Sequence, residues 1–196
     1  MPYLHLPIRA LLIAIPAFVL TACQPTAASA PRPVASLQEI MHSIVDPAAD
    51  ALWESVSSTV TAQGVEEHQP RSDEDWTALR QHAVRLAEAA NLLALDGRPV
   101  TRGGTSLEDA HVAGTLNADT ISALLNRERP RFLGHARQLQ DAAEATLDAI
   151  DARNLDRFLE AGARLDQACE GCHRVFWYPG DKRPPELATA PRQPPR

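Results

Sequence analysis

Apolar residues recur at helical spacing in four long stretches between residues 36 and 178. The first opens at Ser36-Leu37-Gln38-Glu39, a capping-box pattern, and carries Leu37, Met41, Ile44, Val45, Ala48, Leu52 and Val56 on its apolar side. Pro47 stands inside it, which predicts a kink, or a break with Asp46 capping a second segment; the run is expected to end near Gly64. The second stretch starts at Ser72 with Asp75 three residues on. It presents Trp76, Leu79, Ala83, Leu86, Ala90 and Leu93 to one side, and Gly97 stops it. Residues 96–116 hold Pro99, Gly103, Gly104 and Gly114 and read as a loop, followed by a short helix near 118–126. The third runs from about Pro130 to Ala152, with Phe132, Ala136, Leu139, Ala143 and Ile150 inward. The fourth begins after Asn154 and carries Leu155, Phe158, Gly162, Leu165, Ala168 and Cys169 on one stripe, until Pro179-Gly180 ends it.

Four amphipathic helices most simply predict an all-α fold, an antiparallel up-down-up-down four-helix bundle. In that order the start of the first helix, the end of the second, the start of the third and the end of the fourth share one end of the bundle. Composition agrees: alanine occurs 33 times and aromatics make up 5% of the chain, which favours helix over a sandwich of strands. The net charge of −6 and the lack of a basic stripe argue against a nucleic-acid partner.

The flanks are of another kind. Residues 1–22 contain no acid, Arg9 is their only Lys or Arg, and Ala10 to Ala22 is almost wholly apolar, which predicts an export signal. Leu20-Thr21-Ala22-Cys23 resembles the bacterial lipobox, so Cys23 is expected to carry lipid and become the first mature residue. Gln24, where aspartate would signal retention, implies sorting to the outer membrane, facing the periplasm. Acyl chains supply stable anchoring. Residues 23–35, with Pro25, Pro31 and Pro33 among Ala, Ser and Thr, read as a tether; residues 179–196, with six prolines, read as a disordered tail. The folded domain is expected over 36–178.

Cys23 accounts for one of three cysteines. The other two stand in Cys169-Glu170-Gly171-Cys172-His173, the pattern of c-type haem attachment. Two thiols one helical turn apart add to the two vinyl groups of one haem, and the next residue offers its imidazole to the iron. Three other uses fit less well. Structural zinc usually takes four Cys/His ligands, and one pair is present. A redox dithiol is activated at a helix N-terminus, whereas this pair lies near a C-terminus. A disulfide would close only a very short loop. The expectation is one haem c per chain, on Cys169 and Cys172, with His173 as proximal ligand. Met41 is the expected distal ligand: it lies near the start of the first helix, at the end shared with His173, and is the only methionine left once Met1 departs with the signal. Leu37, Ile44, Leu93, Phe132 and Phe176 are expected to line the pocket. His42 is turned about 100° from the apolar side and is the weaker ligand; His111 and His135 read as solvated.

A single haem motif near the C-terminus of a helical bundle resembles the cytochrome c′ family. The segments Ile44-Val45-Asp46-Pro47-Ala48-Ala49-Asp50-Ala51-Leu52-Trp53 and Cys169-Glu170-Gly171-Cys172-His173-Arg174-Val175-Phe176-Trp177-Tyr178-Pro179 are similar to exported and lipoprotein members of that superfamily. Family members commonly place an aromatic and an arginine a few residues after the histidine; here Phe176 and Trp177 supply aromatics, but Arg174 follows the histidine directly. The resemblance implies either a His/Met electron carrier or a five-coordinate protein that binds NO or CO. Electron transfer with periplasmic or membrane redox proteins is the leading expectation, and no enzymatic activity is expected. Soluble members are often dimers, which leaves a homodimer open.

Overall fold

The structure is a computed structural model that describes residues 31–180. The expected signal, the lipidated Cys23, most of the tether and the tail from residue 181 lie outside the described residues. Within them the chain is mostly helical and carries one small antiparallel sheet. No helix among them is long and apolar enough to cross a membrane.

The first helical stretch is built in three pieces: α1 (Leu37–Ile40), a π-helical turn (Met41–Val45) and α2 (Asp46–Glu54). The Ser36 hydroxyl accepts from the Glu39 N–H at 3.2 Å, and a Glu39 carboxylate oxygen accepts from the Ser36 N–H at 2.8 Å, completing the capping box. Pro47 explains the wide turn. Proline has no N–H to give and crowds the carbonyl four residues back, so the helix admits an extra residue ahead of it. The Asp46 N–H reaches back five residues to the Met41 carbonyl. The helix therefore neither breaks nor is capped by Asp46, and its phase shifts. Ile40 and Ala49 join the buried side, whereas Met41 and Ile44 are only half-buried.

The helix also stops earlier than Gly64, and the mostly helical chain adds a small two-stranded sheet there. Strands β1 (Ser57–Thr61) and β2 (Gly64–His68) form a hairpin in which Val60 pairs Val65 and Thr61 pairs Gly64. Ser57-Ser58-Thr59-Val60-Thr61 are poor helix formers, through competing hydroxyls and β-branching. Gly64 supplies the left-handed φ of +132° that the turn requires. Val60 and Val65 remain 82% and 63% exposed, so the hairpin adds little to the core.

The long helices follow as α3 (Asp73–Leu93), the short α4 (Ala118–Arg127), α5 (Arg129–Asp151) and α6 (Leu155–Phe176). Ser72, Asn117 and Asn154 cap α3, α4 and α6 through their side chains. Helix α3 packs on α5, α5 on α6, and α2 on α3. Arg80 meets Asp151 at 2.8 Å at one end, and Arg129 bonds the Ala94 carbonyl at the other, so α3 and α5 run antiparallel. All the expected inward residues of α3 and α5 are buried. Leu86 and Leu165 are fully buried, worth roughly 1.5–3 kcal/mol each.

The loop from 94 to 117 closes one end. The Leu37 and Gln38 N–H groups, unpaired within their own first turn, donate to Pro99 and Val100 carbonyls at 2.8 and 3.0 Å. Val100 and Leu107 are buried beneath the loop. Arg98 donates to the Leu92 carbonyl at 3.0 Å and to the Ala35 carbonyl, while Arg129 takes the Ala94 carbonyl. Two guanidiniums thus satisfy two carbonyls at the C-terminal end of α3, those of Leu92 and its cap Ala94.

Candidate functional site

Cys169, Cys172 and His173 occupy one turn near the C-terminus of α6. All three are half-buried, and both sulfurs pack against the hydrophobic core. No disulfide joins the two cysteines. Burial, and secondarily the neighbouring Cys169, push the Cys172 thiol up to about 12. A thiol so protonated at neutral pH is a poor redox nucleophile. Among the described residues no group of three or more His, Cys, Asp or Glu is placed to hold a bare metal ion. The pair lacks the acidic thiol that a dithiol oxidoreductase uses and, among the described residues, the further ligands that a structural zinc site takes; what the donor set can hold is set by its chemistry. That chemistry fits a haem: two thiols one turn apart on a core-facing surface, followed at once by an imidazole.

The loop draws the start of the first helix and the end of α6 together. His42 Nε2 lies 2.9 Å from the Glu108 carboxylate, and the next residue, Asp109, accepts from the Trp177 indole N–H at 2.9 Å. The Leu116 N–H donates to the Trp177 carbonyl at 2.8 Å. Two neighbouring loop residues so bridge the Met41–His42 turn and the residue four beyond His173. An independent register agrees. The Trp53 indole N–H meets the Gly162 carbonyl at 3.5 Å. Counting back to Met41 and on to His173 covers roughly 18 and 17 Å along antiparallel helices, which brings both to one level. Met41 is half-buried and packed on the core, whereas His42 is exposed and directed to Glu108.

Leu37, Leu93 and Phe132 line a cleft of about 430 Å³ at this same end, together with Asp96, Arg98 and Arg129. Phe176 stands edge-on to Phe132, with ring centres 5.6 Å apart. Ile44 and Phe176 are not among the residues lining the cleft, nor are Met41, Cys169, Cys172 and His173. Arg174 does not extend beyond the motif: its Nε donates to Glu170 at 2.8 Å on the helix surface.

His135 is not the solvated histidine expected from sequence. It reaches the motif itself, so that a Cβ at Gly171 would lie 3.9 Å from its ring, and its ring stands edge-on to Phe176 at 5.8 Å. Its Nδ1 is buried without a hydrogen-bond partner. Burial, then Arg131, hold its pKa below the usual histidine value, against a raising hydrogen bond to the Gln138 side chain. The available signal was its position three residues after Phe132, at the edge of the α5 stripe. His111 is exposed, with Nδ1 3.2 Å from the Glu108 carbonyl.

No family model matches the chain, nor does any curated protein or solved structure.

Proposed function

We propose that this chain is a membrane-anchored monohaem c-type cytochrome of the cytochrome c′ type, built as an up-down-up-down four-helix bundle and serving in electron transfer. The observation that carries the reading is the CxxCH turn of α6, with both thiols set on the core and an imidazole following. In it Cys169 and Cys172 hold one haem c through thioethers, and His173 is the proximal ligand. Bound in this way, the haem supplies a one-electron couple. The protein's part is to orient the imidazole, exclude water and fill or leave open the distal side.

Met41 is the proposed distal ligand. Its support is the shared level with His173 and the bridge through Glu108 and Asp109. A thioether from Met41 would be the second protein ligand, of the kind that raises the potential of a bound haem. Leu37 and the half-buried Ile44 beside it would otherwise form an apolar cover over a five-coordinate iron, the arrangement of a protein that binds NO or CO. Lipid on Cys23 and outer-membrane placement are proposed on the sequence motif, with redox proteins of the periplasm or membrane as partners. Anchoring raises the effective concentration of partners that share the membrane.

Acid–acetone extraction tests the attachment: covalent haem stays with the denatured protein, and haem in the organic layer refutes the reading. Visible spectra with and without CO test the distal side. A low-spin iron indifferent to CO is expected. In Met41→Ala the iron becomes high-spin and CO binds; unchanged coordination in that variant refutes Met41 and favours the gas-binding reading.

A further inference from the structure

Glu170 occupies the first spacer position of the CxxCH motif, which haem attachment itself leaves open to any residue. Here its carboxylate joins two residues that follow the histidine. Oε1 accepts from Arg174 Nε at 2.8 Å, and Oε2 accepts from the Tyr178 hydroxyl at 2.5 Å. The chain end makes this reach possible. The Trp177 and Tyr178 N–H groups both donate to the His173 carbonyl, at 2.8 and 3.0 Å. That doubled bond folds residue 178 back along the last turns of α6, so that its hydroxyl meets a residue two turns earlier.

The imidazole of His173 is flanked as a result. The Tyr178 ring lies 5.9 Å from it at 63°, and the Trp177 ring 6.4 Å away at 46°. Trp177 is itself fixed by Asp109 and Leu116. We propose that Glu170 and Tyr178 form a latch that fixes the rotation of the His173 imidazole about its own bonds. This makes Tyr178 a positioning residue for the axial ligand; the proposal rests on the haem reading above. Groups around a metal-bound histidine set its orientation and basicity, and their loss changes the properties of the metal. Arg174, which follows the histidine directly, holds the carboxylate of the latch.

The test uses the haem-loaded protein and begins with acid–acetone extraction of the wild type. Haem lost to the organic layer overturns the haem reading and the latch with it. With haem retained, Tyr178→Phe and Glu170→Ala are compared by electron paramagnetic resonance and by redox titration. Each is expected to shift the g-values of the ferric iron. Each is also expected to change the ratio of oxidised to reduced protein at fixed potential by about threefold to tenfold; tenfold is 59 mV for a one-electron couple. The double variant shifts no further, because either change opens the same latch. Glu170→Gln keeps an oxygen for the Tyr178 hydroxyl and retains most of the wild-type signature. If the single variants keep wild-type g-values and potential, or their effects add independently, the latch is refuted while the covalent haem stands. A purely structural role would lower the melting temperature and leave both signals in place.

Discussion

The two ends of the helical domain are held by different means. At the motif end, bonds span long stretches of chain and engage the backbone: Leu37 to Pro99, Gln38 to Val100, Leu116 to Trp177, and Arg129 to Ala94. Buried rings stand beside them, Phe132 against Phe176. At the opposite end, where α5 turns into α6, a buried ring pair also stands, Trp76 against Phe158 at 6.0 Å, but the polar cross-element contacts beside it are ion pairs between exposed side chains, Arg80 with Asp151 and Arg153 with Asp73. Exposed pairs of this kind contribute roughly 0–1 kcal/mol. The difference lies in the backbone bonds of loop 94–117, which fix the end where the proposed haem ligands would need set geometry.

The sharpest way to break this contrast is to compare a ring at the motif end with the hairpin. Phe132→Ala removes a buried ring and its partner contact, and is expected to cost about 3–5 kcal/mol in denaturant unfolding. Replacing Val60 and Val65 with threonine alters two exposed side chains on a sheet away from the core, and is expected to change stability by less than about 0.5 kcal/mol. Equal effects would mean that the hairpin is structurally coupled to the domain.

The two capping boxes allow a finer comparison of one motif in two settings. Ser36 is 2% exposed, and its partner Glu39 is paired with Arg102 at 2.8 Å. Ser72 is half-buried, and its partner Asp75 accepts from Arg71 and Ser72 N–H groups. Ser36→Ala should cost about 1–2 kcal/mol and Ser72→Ala about 0.5–1 kcal/mol. Hydrogen bonds from the backbone and hydroxyl of Ser36 lower the pKa of Glu39, and those from the Arg71 and Ser72 backbone lower that of Asp75. Both carboxyls are easier to ionise in the folded chain, so their stabilisation is present above the ordinary values of 4.5 and 3.8 and is lost as pH falls through the lowered ones. Unfolding monitored from pH 6 to pH 2 should therefore show a steeper acid loss in the wild type than in the double serine variant.

Local chemistry was legible in the sequence, and long-range docking was not. Ser36, Ser72, Asn117 and Asn154 all cap helices, because a capping side chain acts within three residues of itself. The inward sets of α3 and α5 were legible for the same reason: neither helix interior holds a proline to shift its phase. Pro47 announced an irregularity but not its form, since a kink, a break and a π turn all relieve the same clash. The hairpin could have been found from the serine, threonine and valine run at 57–61, which the neighbouring helical pattern masked. The docking of loop 94–117 left no trace, because its bonds are made partly by backbone groups that every residue carries and partly by Arg98, Glu108 and Asp109, whose partners the loop's own pattern does not name. His135 illustrates the cost at the site: its environment is set by α6 and not by its own helix.

The smallest effect concerns the turn between α5 and α6. Arg153 is the single non-glycine residue with positive φ among the described residues, at +48°. Its N–H donates to the Ile150 carbonyl at 2.9 Å, and the Asn154 N–H donates to Ala149 at 3.0 Å. These two bonds make a Schellman ending, in which the left-handed position usually belongs to glycine. An L-residue there costs roughly 1–2 kcal/mol, whereas glycine gives back part of that gain through its freer unfolded chain. Arg153→Gly also removes the ion pair with Asp73, whose side chains are 57% and 77% exposed and whose contribution is correspondingly small. The net expectation is a gain of about 0.5 kcal/mol, read as a higher denaturant midpoint at unchanged slope. A loss of stability would show that the Arg153–Asp73 pair does more than an exposed pair should. The far end would then be fastened by its charges as well as by Trp76 and Phe158, and the contrast between the two ends would narrow to the backbone bonds of loop 94–117.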